Sequence, residues 1–339
     1  MRTTIKDVAR AANVSPTTVS LVLNNRPVPI SANTRERVLR IAKEMRYRPN
    51  QIAVAMTSRK TNTIGLIVPD ITNIFHTKYC EQIQIFAQKR AYSTIIRIAQ
   101  NDLEDTVRFL YDFEDRAVDG VILTKSVFKD PADTAACMQA VHELRIPVVL
   151  TDRVAKAFTA GAVIPNDYLG GYLAVRHLID LGHRRIGCIS AQLHYENCKD
   201  RLRGYRDALQ EAGIPYDPSL IYEGDWQLDS GLRALPYLLG KNVTGIFAFN
   251  DMIAYGVYKQ ARNYNLCIPE DISVVGFDDL IFSDLIDPPL TTLEYPVVQM
   301  GEAVVERILA KINGESVTSE PVVIDPILKV KGSTARLRE

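Results

Sequence analysis

The sequence predicts an α/β chain in three parts: an all-α helix-turn-helix head, a short hinge, and a two-lobed body of doubly wound parallel sheets. Three observations point there. At 339 residues the chain is too long for one compact core. Its first fifty residues place apolar side chains at helical spacing, interrupted by cap and turn residues. From Thr63 the rhythm changes to short apolar strands alternating with helical stretches, and after Gly161 that alternation restarts.

In the head, Thr4 caps a helix starting at Ile5, with Asp7 in the first turn where the helix dipole favours an acid. Ile5, Val8, Ala9 and Ala12 share one face. Asn13 breaks the pattern, Ser15 is the next N-cap, and Pro16 takes the first helical position, where its missing N–H costs nothing. Val19, Val22 and Leu23 form a second apolar face, which ends at Asn24. A third helix runs from Ser31 or Asn33 to about Tyr47, with Val38, Leu39, Ile41, Ala42 and Met45 turned inward. Two short helices joined by a three-residue turn, with a third across them, describe a helix-turn-helix whose second helix enters the major groove of DNA. Pro16, Thr17, Thr18, Ser20 and Leu21 are the exposed residues of that helix, small enough to approach base edges and phosphates.

A plain three-helix bundle with a solvated polar face is the competing reading, and charge speaks against it. Residues 1–60 hold twelve Lys and Arg against three Asp and Glu, although the whole chain is neutral. A head at +9 on a body at −9 directs one end to a polyanion and keeps the other away from it. Other classes find little support. The first twenty residues carry no apolar leader, and no run of about 18 uncharged apolar residues is present. The expected location is therefore the cytoplasm, with no membrane partner. Five scattered cysteines offer no CxxC pair, and five histidines show no ligand spacing, so neither disulfides nor metal nor another cofactor is expected. No P-loop, GxSxG, HExxH or GxGxxG occurs, so no enzyme is expected.

Residues 50–58, Asn-Gln-Ile-Ala-Val-Ala-Met-Thr-Ser, form an apolar hinge-helix candidate too short to be stable alone. The first body unit then reads as strands at Ile64–Val68, Ser93–Ile98, Gly120–Leu123 and Val148–Leu150, with helices near Lys78–Arg90, Leu103–Arg116 and Ala132–Leu144 between them. The second has helices at Gly170–Leu181, Arg201–Ala212 and Met252–Asn265, and strands at Arg185–Ser190, Thr244–Phe249 and Ser273–Phe277. Two α/β lobes in tandem imply a cleft, the usual place for a small ligand, with binding residues at the carboxyl ends of strands. Asn250-Asp251 and Asp278-Asp279 stand at such ends, Arg201 starts a helix, and the only tryptophan, Trp226, sits in a Gly-Asp-Trp loop. Asp251 and Asp279 read better as helix caps than as ligands.

The segments Thr4-Ile-Lys-Asp-Val-Ala-Arg10, Asn13-Val-Ser-Pro-Thr-Thr-Val-Ser20 and Thr34-Arg-Glu-Arg-Val-Leu39 closely resemble the head of the LacI/GalR family of bacterial transcriptional regulators. The resemblance continues through Leu181-Gly-His-Arg-Arg-Ile186, Arg201-Leu-Arg-Gly-Tyr205, Phe249-Asn-Asp251 and Val275-Gly-Phe-Asp-Asp279, covering the whole chain. It implies a periplasmic-binding-protein-like body and a repressor that binds a palindromic double-stranded DNA operator as a homodimer. Implied DNA contacts are Thr4, Ser15, Pro16, Thr17, Thr18, Ser20, Leu21, Asn24, Asn50, Ala53 and Met56. Many members carry an arginine where this chain has Leu21, so a thymine methyl replaces guanine as its natural target.

The resemblance also implies a small sugar-like effector held by Arg201, Trp226, Asn250 and Asp278, with Phe75, His76, Tyr195 and Asn197 as further cleft candidates. It implies that the chain recrosses between lobes near Pro289-Leu-Thr-Thr292, which puts a helix of about Val298–Asn313 in the first lobe and a last strand near Val322–Val330 in the second. The expected division is 1–49 head, 50–62 hinge, 63–162 with about 293–320 first lobe, and 163–292 with about 321–334 second lobe. Control by a partner protein or a nucleoside-type corepressor stays open, as does a sugar-transport protein sharing the body, which the basic head disfavours.

In the resembling family the hinge helix presses an apolar side chain into the minor groove, and Met56 occupies that position here. Met56→Ala is expected to weaken specific operator binding and to reduce DNA bending, while phosphate-driven non-specific binding survives. Circular-permutation gel shifts measure the bend; an unaltered bend contradicts the wedge.

Overall fold

The computed structural model describes residues 3–23, 28–47, 60–125 and 127–337. It divides into two compact units, Met1–Thr61 and Asn62–Glu339.

The head contains α1 (Ile5–Ala12), α2 (Pro16–Leu23) and α3 (Ala32–Glu44). Thr4 and Asp7 form a reciprocal capping box: the Asp7 N–H donates to Thr4 Oγ1, and the Thr4 N–H donates to Asp7 Oδ2 at 2.9 Å. Those bonds hold the Asp7 carboxyl below its usual range. Asn13 ends α1 in the left-handed region, with φ of 50°. Val8, Ala9, Ala12, Val19, Val22, Val38 and Ala42 are buried together as the head's core. Leu39 is not part of it. Expected inside, it is 46% exposed, because Val38 and Ala42 already fill the inner face of α3.

The body contains two six-stranded sheets. The first runs β2 (Ser93–Ile98), β1 (Thr63–Val68), β3 (Gly120–Lys125), β4 (Val148–Arg153), β5 (Val163–Pro165) and β11 (Val322–Ile324), with parallel pairings throughout. The second runs β7 (Ile221–Glu223), β6 (Ile186–Ser190), β8 (Gly245–Ala248), β9 (Ser273–Asp278), β10 (Thr291–Glu294) and β12 (Ile327–Lys329), parallel except for the β10–β12 edge. Helices α4 (Ile74–Lys89), α5 (Leu103–Asp115) and α6 (Pro131–Glu143) connect strands of the first sheet. Helices α7 (Asp167–Asp180), α8 (Glu196–Glu211), α9 (Leu228–Leu239) and α10 (Asp251–Asn263) do so for the second. Helix α11 (Val297–Ile312) packs on α4 and on β3, β4 and β5.

Sheet membership corrects the expected lobe boundaries. Val163–Pro165 pairs with β4 and β11, so the first sheet extends past residue 162. The strand expected over Val322–Val330 is two strands: β11 joins the first sheet, and β12, after the unpaired Asp325-Pro326, joins the second. The return crossing follows Glu294 rather than Thr292, because Thr291–Glu294 still pairs with β9. The chain thus passes between lobes after β5, after β10 and after β11.

Helices α7 and α8 approach closely through two glycines. A Cβ on Gly204 would collide with the backbone carbonyl of Tyr168, and one on Gly171 with that of Arg201. Backbone cannot swing aside as a side chain can, so Gly204→Ala is expected to destabilise the body by about 1–3 kcal/mol. A lower melting temperature with unchanged head helicity is the expected readout; an unchanged melt contradicts this packing.

Candidate functional site

On the head, Ser15 caps α2 by accepting the Thr18 N–H at 3.1 Å, and its hydroxyl lies 2.9 Å from that of Thr18. Pro16 is the first residue of α2, as expected, and Pro16 and Thr17 are exposed. Thr18, Ser20 and Leu21 were expected exposed but are half-buried, since they flank Val19 and Val22, the two side chains that α2 buries. Thr4 is exposed at the start of α1. Asn24, Asn50, Ala53 and Met56 lie outside the described residues.

In the body, strand ends from both lobes converge on the cleft. The first lobe contributes Phe75 from α4 and Asp152-Arg153 from the end of β4. The second contributes Asn197 and Arg201 from α8, Trp226, Asn250 and Asp278, and Tyr295 from just beyond β10 completes the wall. The structure therefore brings together six of the eight expected effector residues. Tyr195, the N-cap of α8, lines the adjoining cavity, and His76 is buried behind Phe75 within the first lobe.

Arg201 organises the floor. It is the sixth residue of α8, not its first as the sequence suggested; Tyr195 caps the helix without a side-chain bond, so no cap signal marks the true start. The guanidinium is 2% exposed, donates from Nε to Asp167 Oδ1 at 2.7 Å and from Nη1 to the Phe249 carbonyl, and stacks on Phe277 at 3.6 Å. Burial pushes the Asp167 carboxyl up to about 6, against the opposing pull of Arg201. Asp278 sits at φ 115°, in the left-handed region, at the end of β9. Burial raises its carboxyl well above the usual range, again opposed by Arg201.

Asn250 caps α10, accepting the Ile253 N–H, and donates to the Trp226 carbonyl at 3.0 Å, so it also fixes the tryptophan loop. One amide hydrogen and one lone pair remain for a ligand. Asp251 is fully buried and accepts from the Leu280 N–H, Ser283 Oγ and Thr292 Oγ1, tying α10 to the segments after β9 and into β10. Asp279 does not cap a helix; it pairs with Lys331 at 2.7 Å. His183 is held by Thr244, Ser273 and the Ala335 carbonyl, a structural role.

Asp152, Arg153 and Tyr295 were missed in the sequence. Each stands at or just past a strand end, but β4 was read as stopping at Leu150 and β10 was not read at all. Asp152 Oδ1 accepts the Tyr295 hydroxyl at 3.0 Å. Among the described residues, Asp152 Oδ2, Asn197 Oδ1 and Trp226 Nε1 are buried without a hydrogen-bond partner, as are both ring nitrogens of His76. The inner cleft around Trp226 retains about 20 Å³, room for roughly one water, while the adjoining cavity beside Tyr195 measures about 230 Å³. Among the described residues, no helix is long and apolar enough to cross a membrane and no His/Cys/Asp/Glu cluster suits a metal.

A helix-turn-helix head carried on a two-lobed cleft body defines the class of ligand-sensing transcriptional regulators. The sequence profile of bacterial regulatory proteins of the lacI family matches residues 4–50, and that of the periplasmic binding protein-like domain matches residues 175–334. The chain is 35% identical to the HTH-type transcriptional regulator DegA of Bacillus subtilis, over 99% of each chain. It is 33% identical to the ribose operon repressor of Haemophilus influenzae, again over 99% of each. Among solved structures, it is similar to the lac repressor dimer bound to operator and the anti-inducer ONPF, with a TM-score of 0.88, 27% identity, and 99% and 100% of the two chains covered. It is also similar to the transcriptional regulator CelR in complex with cellobiose, with a TM-score of 0.73, 29% identity, and 98% and 100% covered. The chain belongs to the lacI family of bacterial regulatory proteins.

Breaking the buried Asp167–Arg201 pair leaves an uncompensated charge. Asp167→Ala is expected to cost about 3–5 kcal/mol of body stability. Thermal melts of the single variants and of a double variant with Arg201→Met check this; additive losses contradict the coupling.

Proposed function

We propose that this chain represses transcription from the cytoplasm, binding a near-palindromic operator as a homodimer, and that a sugar-type effector in the interlobe cleft changes its affinity for DNA. One recognition helix reaches too few bases for specificity, so two heads must read two half-sites. The Ser15–Thr18 cap and the exposed Pro16 and Thr17 supply contacts at the start of α2, and Leu21 tests the base edge. A basic head on an acidic body fits the same role.

The observation that carries the effector reading is the set of cleft-lining polar atoms without a hydrogen-bond partner: Asp152 Oδ2, which has His76 and Arg153 only at 3.7 and 3.9 Å, Asn197 Oδ1 and Trp226 Nε1. Leaving such groups unbonded costs about 1–3 kcal/mol each, which a hydroxyl-rich ligand recovers. The Trp226 indole offers a plane for a sugar's C–H face, and Asn250, Asp278 and Arg201 offer an amide, a carboxyl and a guanidinium beside it. The inner cleft is too narrow for a sugar ring as it stands, so binding requires the lobes to part and re-close. A ligand that favours one lobe spacing shifts DNA affinity by that difference alone.

A thermal-shift screen against sugars, followed by operator-binding anisotropy, tests the proposal. Asp278→Ala is expected to abolish both the thermal shift and the operator response while leaving effector-free DNA binding intact. A variant that still responds to the same sugar overturns the site assignment.

A further inference from the structure

Lys125 and Arg153 end neighbouring strands of the first lobe and are direct partners in the β3–β4 register. Both are sequestered: Lys125 is 5% exposed, and the Arg153 side chain 11%. Two like charges side by side in a low-dielectric wall repel, so a fold places them there at a cost unless something negative joins them. Among the described residues, Lys125 makes one hydrogen bond, a long one of 3.4 Å to the Asn101 carbonyl. For Arg153, the nearest carboxylate oxygen is Asp152 Oδ2, at 3.9 Å and beyond hydrogen-bond distance. Aromatic faces are their remaining company. Lys125 lies 4.6 Å from the Phe128 ring and 5.9 Å from that of Tyr195; Arg153 lies 5.5 Å from Tyr195 and 5.2 Å from Trp226.

Three other acids line the outer cavity together with Asp152, Arg153 and Arg203, and each of the three is paired elsewhere. Glu196 pairs with Lys199 at 2.7 Å, Asp200 with Arg203 at 3.1 Å, and Asp167 with Arg201 at 2.7 Å. Asp102 caps α5 through the Asp105 N–H. Burial, then the charge of Arg153, pulls Lys125 down to about 8, with Cys137 and Asp102 opposing. Across the cleft, His194 is pushed down by burial and then by Lys129 and Lys125. Arg153 lines both the inner cleft and the 230 Å³ cavity beside it, and Tyr195, Asn197 and the uncapped start of α8 face it there.

We propose that the effector is an acidic sugar whose carboxylate or phosphate docks on Arg153 in the outer cavity, with Lys125 behind it supplying a second positive charge. The inference rests on the sugar reading of the cleft and adds to it the charge of the ligand. The ring occupies the inner part beside Trp226, and the oxyanion takes the unspent fork of Arg153, a geometry suited to bidentate oxygen acceptors.

Calorimetry and thermal shift on the full chain test it with matched sets: glucose, glucuronate and glucose 6-phosphate; galactose, galacturonate and galactose 6-phosphate; ribose and ribose 5-phosphate. One acidic member is expected to bind about tenfold or more tighter than its neutral counterpart. Uronate against phosphate distinguishes the two oxyanions. Arg153→Met is expected to erase that preference, Arg153→Lys to restore part of it, and Lys125→Met to reduce it. At pH 8, binding of the acidic sugar is expected to take up about half a proton as Lys125 regains its charge, read from calorimetry in buffers of different ionisation enthalpy. Binding the neutral member as tightly as the acidic one, or an acid preference that survives in the Arg153→Met, Lys125→Met double variant, overturns the anion site and leaves the sugar reading standing. No binding by any member overturns the sugar reading and the anion site together.

Discussion

The second lobe's half of the cleft depends on one buried guanidinium. Arg201 is buried away from bulk solvent, so each of its neighbours must stay in place: Asp167 at the start of α7, the carbonyl at Phe249 beyond β8, and the Phe277 ring on β9. These contacts join two helices and two strands at the point where strand ends open onto the cleft. The glycines at 171 and 204 serve the same contact, since only bare backbone lets α7 and α8 come close enough for Arg201 to reach Asp167. A charge placed this way is poor value as a source of stability and good value as a source of definition. It leaves one arrangement of the floor in which all partners are satisfied, and Trp226, Asn250 and Asp278 inherit that arrangement.

Much of this was legible in the sequence for identifiable reasons. The head announces itself through Thr4, Ser15 and Pro16, whose local chemistry works wherever they sit. Long apolar strands such as β1 and β3 carry a signal that survives without context. The unread elements lack such signals. Helix α9 contains Pro236 within it and Gly231 at a tight helix crossing, both of which argue locally against a helix. Strands β5 and β7 have three residues each and exist only because a neighbouring edge accepts them. The candidate site was half legible for the same reason. Asn250 and Asp278 end strands that could be read, whereas Asp152, Arg153 and Tyr295 end strands whose limits are set by pairing. The partners of Asp251 lie about thirty to forty residues away in sequence, and no periodicity reports them.

Both walls of the cleft carry groups whose hydrogen bonding is incomplete. The second lobe is bonded around Arg201 and Asp251, yet Asn197 Oδ1 and Trp226 Nε1 are buried there without a hydrogen-bond partner. The first lobe adds His76, Asp152 Oδ2 and the Lys125–Arg153 pair. A ligand that bonds groups on both walls favours the lobe spacing from which it reaches them, and it acts only through that difference between states.

The order of strands also governs how the chain comes into being. The head closes its core with α3, inside the first fifty residues, and needs nothing that follows. Neither body sheet is complete until residues 322–329 are made: β11 at 322–324 covers the open edge of β5, and β12 at 327–329 covers that of β10. A growing chain on the ribosome therefore carries a finished head and two unfinished sheets until those residues emerge. A stop codon just before Val322 strips a border strand from both lobes at once and exposes two bare edges to neighbouring chains.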